Sequence, residues 1–200
     1  MKLYDFLPSG NGYKVRLLLS QLGVDYDLTE LDILKGETQT EDFLSINPNG
    51  KIPTLVLDSG ETLTESNAIL MYLAEGTEFL PTDRLDRARV LEWMFFEQYS
   101  HEPNVAVVRF WQTHGGPNEQ QKAMLPQKME GGYKALDIME KRLNHHDYLV
   151  ANKYTIADIC LYAYTHVADE GGFDLSRYPA IGNWMNRVRN QANHKLITSK

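Results

Sequence analysis

Every run of this chain that reads as a β-strand lies before residue 65, and from about residue 83 onward only helical patterns follow. That asymmetry excludes most architectures. Strands alternating with helices favour a layered sheet, whereas a long strand-free stretch must bury its apolar faces helix against helix. The 200 residues give room for one large domain or two small ones.

The first part predicts the order β-α-β-α-β-β-α. Lys2 to Phe6 is a short β-type run, broken by Pro8-Ser9-Gly10-Asn11-Gly12. Val15, Leu18, Leu19 and Leu22 then recur at the spacing of one helical face, with Gly23 placed as a C-cap. Val24 to Leu31 predicts a second strand, and Phe43 and Leu44 hint at a short helix. Thr54 to Leu57 and Thr62 to Thr64 flank Asp58-Ser59-Gly60, a hairpin signal, and Ser66 to Ala74 reads as a helix. Strands joined by a helix are expected to be parallel through a right-handed crossover, and the hairpin antiparallel. The fold class predicted is therefore a mixed four-stranded sheet in an α/β N-terminal domain, followed by an all-α C-terminal domain.

In the second part, helices are predicted over Arg84 to Tyr99, Glu119 to Leu143, Thr155 to Ala168 and Pro179 to about Arg189. Pro103 should break or bend the first, with Val105 to Thr113 continuing it. Pro126 and Gly131-Gly132 should weaken the start of the second. The expected boundaries are a first domain over 1–76, a linker over 77–83 and a helical domain over 84–200.

Composition and charge exclude several functions. A hydrophobic fraction of 42% can fill a core, and a net charge of -7 disfavours general affinity for nucleic acid, which needs basic patches. No apolar run approaches the roughly 20 residues needed to span a bilayer. The start, MKLYDFLPSG, lacks the apolar core and cleavage site of a secretory signal. The single cysteine, Cys160, forms no internal disulfide, which fits a cytoplasmic location. His145 and His146 are adjacent and face apart, and no H-x-x-x-H or C-x-x-C spacing occurs, so no metal site is expected. The lack of G-x-S-x-G and G-x-G-x-x-G argues against hydrolase and dinucleotide chemistry.

Three stretches carry chemistry. Pro8-Ser9-Gly10-Asn11-Gly12 feeds a helix N-terminus, where free N–H groups and the dipole favour an anion. Ser9 could donate its hydroxyl to that anion, or Ser9 or Asn11 could simply cap the helix. Thr64-Glu65-Ser66-Asn67-Ala68-Ile69 is a second strand-to-helix junction. The dipole alone explains Glu65 there, yet Glu65 could also accept from a ligand ammonium while Ser66 holds a carboxylate, together recognising an amino-acid head. In Asn47-Pro48-Asn49-Gly50-Lys51-Ile52-Pro53, Pro53 donates nothing to a sheet ladder. It marks either an edge position or a cis peptide, and a cis peptide would leave the Ile52 backbone to pair with a peptide-like ligand. A fourth stretch, Thr155-Ile156-Ala157-Asp158, reads as a purely structural capping box, with Cys160 a small buried hydrophobe.

Taken together, the loop S-x-N-x-x-K-V (Ser9, Asn11, Lys14, Val15), N-P-N-G-K-I-P, T-E-S-N-A-I and T-I-A-D-I, in that order, resemble the cytosolic glutathione transferases over essentially the whole chain. The serine loop is most similar to the bacterial, theta- and nu-like branch. The resemblance implies a thioredoxin-like domain followed by a helical one, a homodimer, and glutathione as co-substrate. It implies a cis Ile52-Pro53 whose Ile52 backbone binds the cysteinyl part of glutathione, and Glu65 and Ser66 at the γ-glutamyl end. Lys51, ahead of Lys35, is the candidate for the glycine carboxylate. Ser9 is expected to activate the thiol, with Tyr4 in the first strand ranked second and Asn11 a third donor. No cysteine stands in the loop, where position 10 is glycine, which argues against mixed disulfides with the protein. A small hydrophobic electrophile is the expected second substrate, in a pocket between the domains walled by Tyr99, His101 and Arg109. The alternatives are a glutathione-dependent peroxidase or reductase on the same site, and a non-catalytic glutathione-binding protein.

Overall fold

The computed structural model describes residues 1–200, which divide into two compact units. Unit 1 comprises Met1–Thr77 together with Ala192–Lys200, and unit 2 comprises Glu78–Gln191. The helical domain expected to run to residue 200 thus ends at 191, because the last nine residues pack on unit 1.

Unit 1 is built from β1 (Lys2–Asp5), α1 (Gly10–Leu22), β2 (Asp27–Glu30), α2 (Glu41–Ile46), β3 (Thr54–Val56), β4 (Thr62–Thr64) and α3 (Ser66–Ala74). The strand order is β2-β1-β3-β4, with β1 parallel to β2 and antiparallel to β3, and β3 antiparallel to β4. The expected mixed sheet is therefore present, with a second strand shorter than Val24 to Leu31. Leu3 and Leu55 from the sheet meet Val15 and Leu19 of α1 and Ile69 of α3 in a core fully removed from water. Each such side chain contributes about 1.5–3 kcal/mol by burial.

Helix α1 departs from the amphipathic reading. Tyr13 to Leu19 are all buried, including Lys14 and Arg16. The face opposite the sheet is covered by the returning C-terminal segment. Tyr13 Oη donates to the Lys195 carbonyl (2.6 Å), Ser20 Oγ to that of Asn193 (2.9 Å), and Arg16 to those of Ser199 (2.7 Å) and Ile197 (3.0 Å). Arg16 Nε also donates to Asp5 Oδ2 at 2.7 Å, and both side chains are fully buried. Burial pushes the Asp5 carboxyl up to about 6, against the opposing pull of Arg16. Gly12 is what allows this pair to sit against the helix, since a Cβ there would lie 1.5 Å from Asp5 Oδ1.

Unit 2 contains α4 (Arg84–Phe96), a π-helical turn (Glu97–His101), α5 (Glu102–Thr113), α6 (Glu119–Leu143), α7 (Ile156–Thr165) and α8 (Pro179–Arg189). Pro103 sits in the first turn of α5, where its missing N–H costs little. Despite Pro126 and the two glycines, α6 is continuous, opened by a capping box between Asn118 and Gln121. Gly132 there serves packing, since a Cβ would come within 2.4 Å of the Phe173 ring. Asp158 organises the centre of the unit. Its Oδ1 accepts from Leu149 N (3.0 Å) and Trp184 Nε1 (2.9 Å), and its Oδ2 from Thr155 N (2.9 Å) and Thr155 Oγ1 (3.2 Å). The capping box at Thr155 is present as expected, and the buried Cys160 lies on the same helix. No helix is long and apolar enough to cross a membrane.

Candidate functional site

Strand register brings three loops to one end of the unit 1 sheet. Tyr4, Thr54 and Thr64 form a single cross-strand row. Because β3 is antiparallel to both neighbours, the chain leaves β1 and β4 and enters β3 at this same end. Neighbouring strands lie about 4.8 Å apart. The Ser9 loop, the Ile52-Pro53 turn and the Glu65-Ser66 junction therefore emerge side by side, although they are distant in sequence.

Ser9 is the N-cap of α1, with extended backbone and its Oγ accepting from Gly12 N at 3.5 Å. That distance is at the limit of a hydrogen bond. Capping uses the Ser9 oxygen only as an acceptor, so the hydroxyl proton can still serve an anion. Both sequence readings of Ser9 are therefore compatible with one geometry.

The Ile52-Pro53 peptide is cis, and Ile52 lies outside β3. No hydrogen bond within the chain uses the Ile52 N–H or C=O. The turn before it is held by Asn47, which is buried. Asn47 Nδ2 donates to the Lys51 carbonyl (2.8 Å) and to Thr54 Oγ1 (2.9 Å), while its Oδ1 accepts from Asn49 N (3.0 Å). Asn47 was not singled out in the sequence, where its only signal was the turn preference of Asn within N-P-N-G.

Glu65 and Ser66 open α3 in an unusual way. Glu65 occupies the N-cap position at φ 66, ψ 113, its side chain makes no cap hydrogen bond, and it is exposed. A non-glycine residue at positive φ costs on the order of 1–3 kcal/mol. The carboxylate thus does not do the capping work that would explain it structurally. Ser66 is buried, and its Oγ donates to Asn11 Oδ1 at 3.2 Å, linking the first loop to the third. Lys14, which the sequence offered only as part of the loop motif and not as a site residue, is fully buried beside them. Its Nζ donates to Asn11 Oδ1 (2.8 Å), Ser66 Oγ (3.4 Å) and Asn67 Oδ1 (3.5 Å).

The other expected residues fall differently. Lys51 is exposed beside Ile52 and takes part in no ion pair, whereas Lys35 is held by Asp32 at 3.1 Å, a hydrogen bond that pushes the Lys35 ammonium up. Tyr4 lies in β1, its ring edge-on to Phe43 at 5.6 Å. Among the three residues expected to wall a second-substrate pocket, only Tyr99 presents a side chain to solvent, at 87% exposure. His101 is fully buried and shares a 3.0 Å hydrogen bond with Thr165 Oγ1. That hydroxyl donates to the Leu161 carbonyl at 2.7 Å, so it accepts from a protonated His101 Nε2. Arg109 is buried and donates to Glu170 Oε2 at 2.7 Å. Both side chains are committed to partners inside unit 2, a choice made by packing that no local pattern reveals.

The arrangement joins a helix N-terminus, a buried ammonium, an unpaired stretch of backbone and an exposed carboxylate at one sheet end. It suits a peptide-like ligand with an amino-acid head and a second anionic group. Comparisons with known proteins bear on the family. Residues 1–75 match the glutathione S-transferase N-terminal domain, and residues 101–192 the C-terminal domain of the same family. A glutathione S-transferase structure from Pseudomonas fluorescens Pf-5 is 55% identical, with a TM-score of 0.96 over 99% of this chain and 98% of that one. The disulfide-bond oxidoreductase YfcG of Escherichia coli K12 is 34% identical, covering 93% of this chain and 89% of its own length. The maleylacetoacetate isomerase of Rhizobium meliloti is 32% identical, covering 90% and 86% respectively. Domain matches over both units, one fold and one set of loops at the sheet end lead to a single assignment: this chain belongs to the glutathione S-transferase family.

Proposed function

We propose that this chain is a glutathione transferase of the serine-type bacterial branch, joining the thiolate of glutathione to small hydrophobic electrophiles. The observation that carries the reading is the row of three loops at which the Ile52 N–H and C=O have no partner within the chain. An extended peptide pairs with such groups as an added strand would. In this reading the cysteinyl part of glutathione pairs with Ile52. Its γ-glutamyl ammonium meets Glu65, and the γ-glutamyl carboxylate meets Ser66 and the start of α3. Lys51 takes the glycine carboxylate, since Lys35 is engaged by Asp32. The thiol then lies at the start of α1, next to Ser9 and Asn11.

The chemistry follows from charge. A free thiol with a pKa near 8.5 is only a few per cent ionised at pH 7. Lowering it by about two units requires the thiolate to be favoured by about 2.7 kcal/mol. A hydrogen bond from Ser9 or Asn11 and the positive end of α1 supply stabilisation of that size without accepting the proton, which passes to solvent. The sulfur lone pair then attacks an electrophilic carbon, and a halide or similar group departs with the bonding pair. Tyr99, exposed in the π-helical turn, is the side chain proposed to meet the apolar substrate. A homodimer is part of the proposal.

The likeness to a disulfide-bond oxidoreductase favours a second reading, in which the bound thiolate attacks a disulfide or peroxide instead of carbon. The single cysteine, Cys160, is buried within α7, so the sulfur in that reaction too comes from glutathione. One panel separates these readings: retention on immobilised glutathione, then turnover with a halogenated aromatic, a disulfide and a peroxide. Retention with aryl-halide turnover supports the transferase. Turnover confined to disulfide or peroxide selects the second reading, and lack of retention overturns both.

A further inference from the structure

A lysine inside a helix that faces a protein core is expensive to bury and needs acceptors on all sides. Lys14 is fully buried, and the acceptors it finds come from both walls of the candidate site. Asn11 belongs to the loop that presents the thiol, whereas Ser66 and Asn67 belong to the junction proposed to hold the γ-glutamyl end. Resting on the glutathione reading above, we infer that Lys14 is a positioning residue. Its ammonium turns the Asn11 side chain so that the amide NH2, not the amide oxygen, faces the thiolate.

The argument is one of hydrogen-bond capacity. A side-chain amide has one acceptor end and one donor end, and its orientation is set by what surrounds it. Asn11 Oδ1 receives two donors, Lys14 Nζ at 2.8 Å and Ser66 Oγ at 3.2 Å. Both approach the same oxygen and fix it inward, toward the junction of α1 and α3. The opposite rotation would set the NH2 against an ammonium, donor against donor. An amide oxygen repels a thiolate, whereas an amide NH2 donates to it, so the orientation decides whether Asn11 helps or opposes ionisation. Ser66 closes the loop, accepting from Lys14 at 3.4 Å while donating to Asn11. The hydroxyl proposed to grip the γ-glutamyl carboxylate is thereby wired to the amide proposed to stabilise the sulfur. Occupancy of one end of glutathione is felt at the other through a network of three side chains.

The test is a double-mutant cycle read on the thiol itself. The ionisation of bound glutathione is followed by thiolate ultraviolet absorbance against pH, in the wild type, Lys14→Met, Asn11→Ala and the double variant. Lys14→Met is expected to raise the thiol pKa by about one unit, leaving about threefold less thiolate at neutral pH, and to lower kcat with a smaller change in KM. In the Asn11→Ala background the same substitution should move the thiol pKa no further, because the group through which it acts is gone. An unchanged pKa in Lys14→Met would overturn the inference, as would an equal shift in both backgrounds, which would mean that the ammonium acts on the sulfur directly. If Lys14→Met does not unfold cooperatively, Lys14→Gln enters the same cycle. It keeps a donor for the Asn11 oxygen, so its thiol pKa should stay near that of the wild type, and a full one-unit rise would overturn the orienting role. A wild type that shows no thiolate at all removes the glutathione reading itself, an outcome distinct from a wild-type thiolate that the variants leave untouched.

Discussion

The starts of helices α7 and α3, Thr155-Ile156-Ala157-Asp158 and Glu65-Ser66-Asn67-Ala68, stand in opposite conditions. At α7 everything is consumed internally: Thr155 caps, Asp158 reaches back, and four donors converge on one carboxylate. At α3 the N-cap residue is strained, exposed and caps nothing. A helix start that closes on itself is holding the fold. One that carries backbone strain while leaving a carboxylate uncommitted has that carboxylate available to a ligand, the role proposed above for Glu65. The same capping rules thus separate structure from function once the partners are known.

The comparison is broken most severely at Asp158. Asp158→Ala leaves the Leu149 N–H, the Trp184 indole and the Thr155 groups without their acceptor inside the core. The expected loss is about 3–5 kcal/mol in denaturant unfolding, with glutathione affinity per folded molecule unchanged. Asp158 also carries a pH signature. Burial pushes its carboxyl up to about 6 from an ordinary value of 3.8. The folded chain therefore binds more protons than the unfolded one between those values. The contribution of this group is fully present below pH 3.8 and is lost as pH rises through about 6. Asp5 acts in the same direction for the same reason. Asp158→Asn should flatten the fall in denaturant stability across that window by the share of one carboxyl.

Glu65→Gly sharpens the contrast, because it should move stability and binding in opposite directions. Glycine accepts φ 66 without strain, so the variant should unfold about 1 kcal/mol later, while glutathione affinity falls about tenfold to a hundredfold. A stability loss instead would mean that Glu65 serves the fold, as Asp158 does. Ser9→Ala should cost less than 1 kcal/mol of stability, since the cap it removes is 3.5 Å long, yet shift the pH–rate profile upward by about one unit. An unshifted profile assigns the thiol to Asn11 or Tyr4. The smallest effect is expected at Lys51→Met, a few-fold rise in KM for glutathione with kcat unchanged. Lys35→Met should do nothing measurable, and the reverse ranking would exchange the two lysines.

Much of this was legible in advance. The alternation of strand and helix signals, the hairpin, the capping box at Thr155 and the loops carrying Ser9, Ile52 and Glu65 are local patterns, and the structure has them. Pro126 does not interrupt α6, which runs over Glu119–Leu143 as the pattern predicts and is anchored by the buried Gly132, Ala135, Leu136, Met139 and Leu143. His101 and Arg109 misled because a polar residue on a helix advertises neither its depth nor its partner. Lys14 and Arg16 are buried in α1 for the same reason: nothing local in the sequence marks a charged helix residue as buried.

The sequence by itself determined which segments are strands, which are helices, where helices start, and which residue types stand in the three loops. Those follow from interactions over a few residues, set by side-chain shape, backbone preference and polar spacing. Only the tertiary structure decided that Tyr4, Thr54 and Thr64 align, and so that three loops share one end of a sheet. It alone brought Lys14 between Asn11 and Ser66, 55 residues apart, and laid residues 192–200 over α1 to bury Arg16 through contacts spanning 181 positions. Such pairings are fixed by strand register and by the demand of buried charges for partners, and neither has a period that a linear pattern could carry.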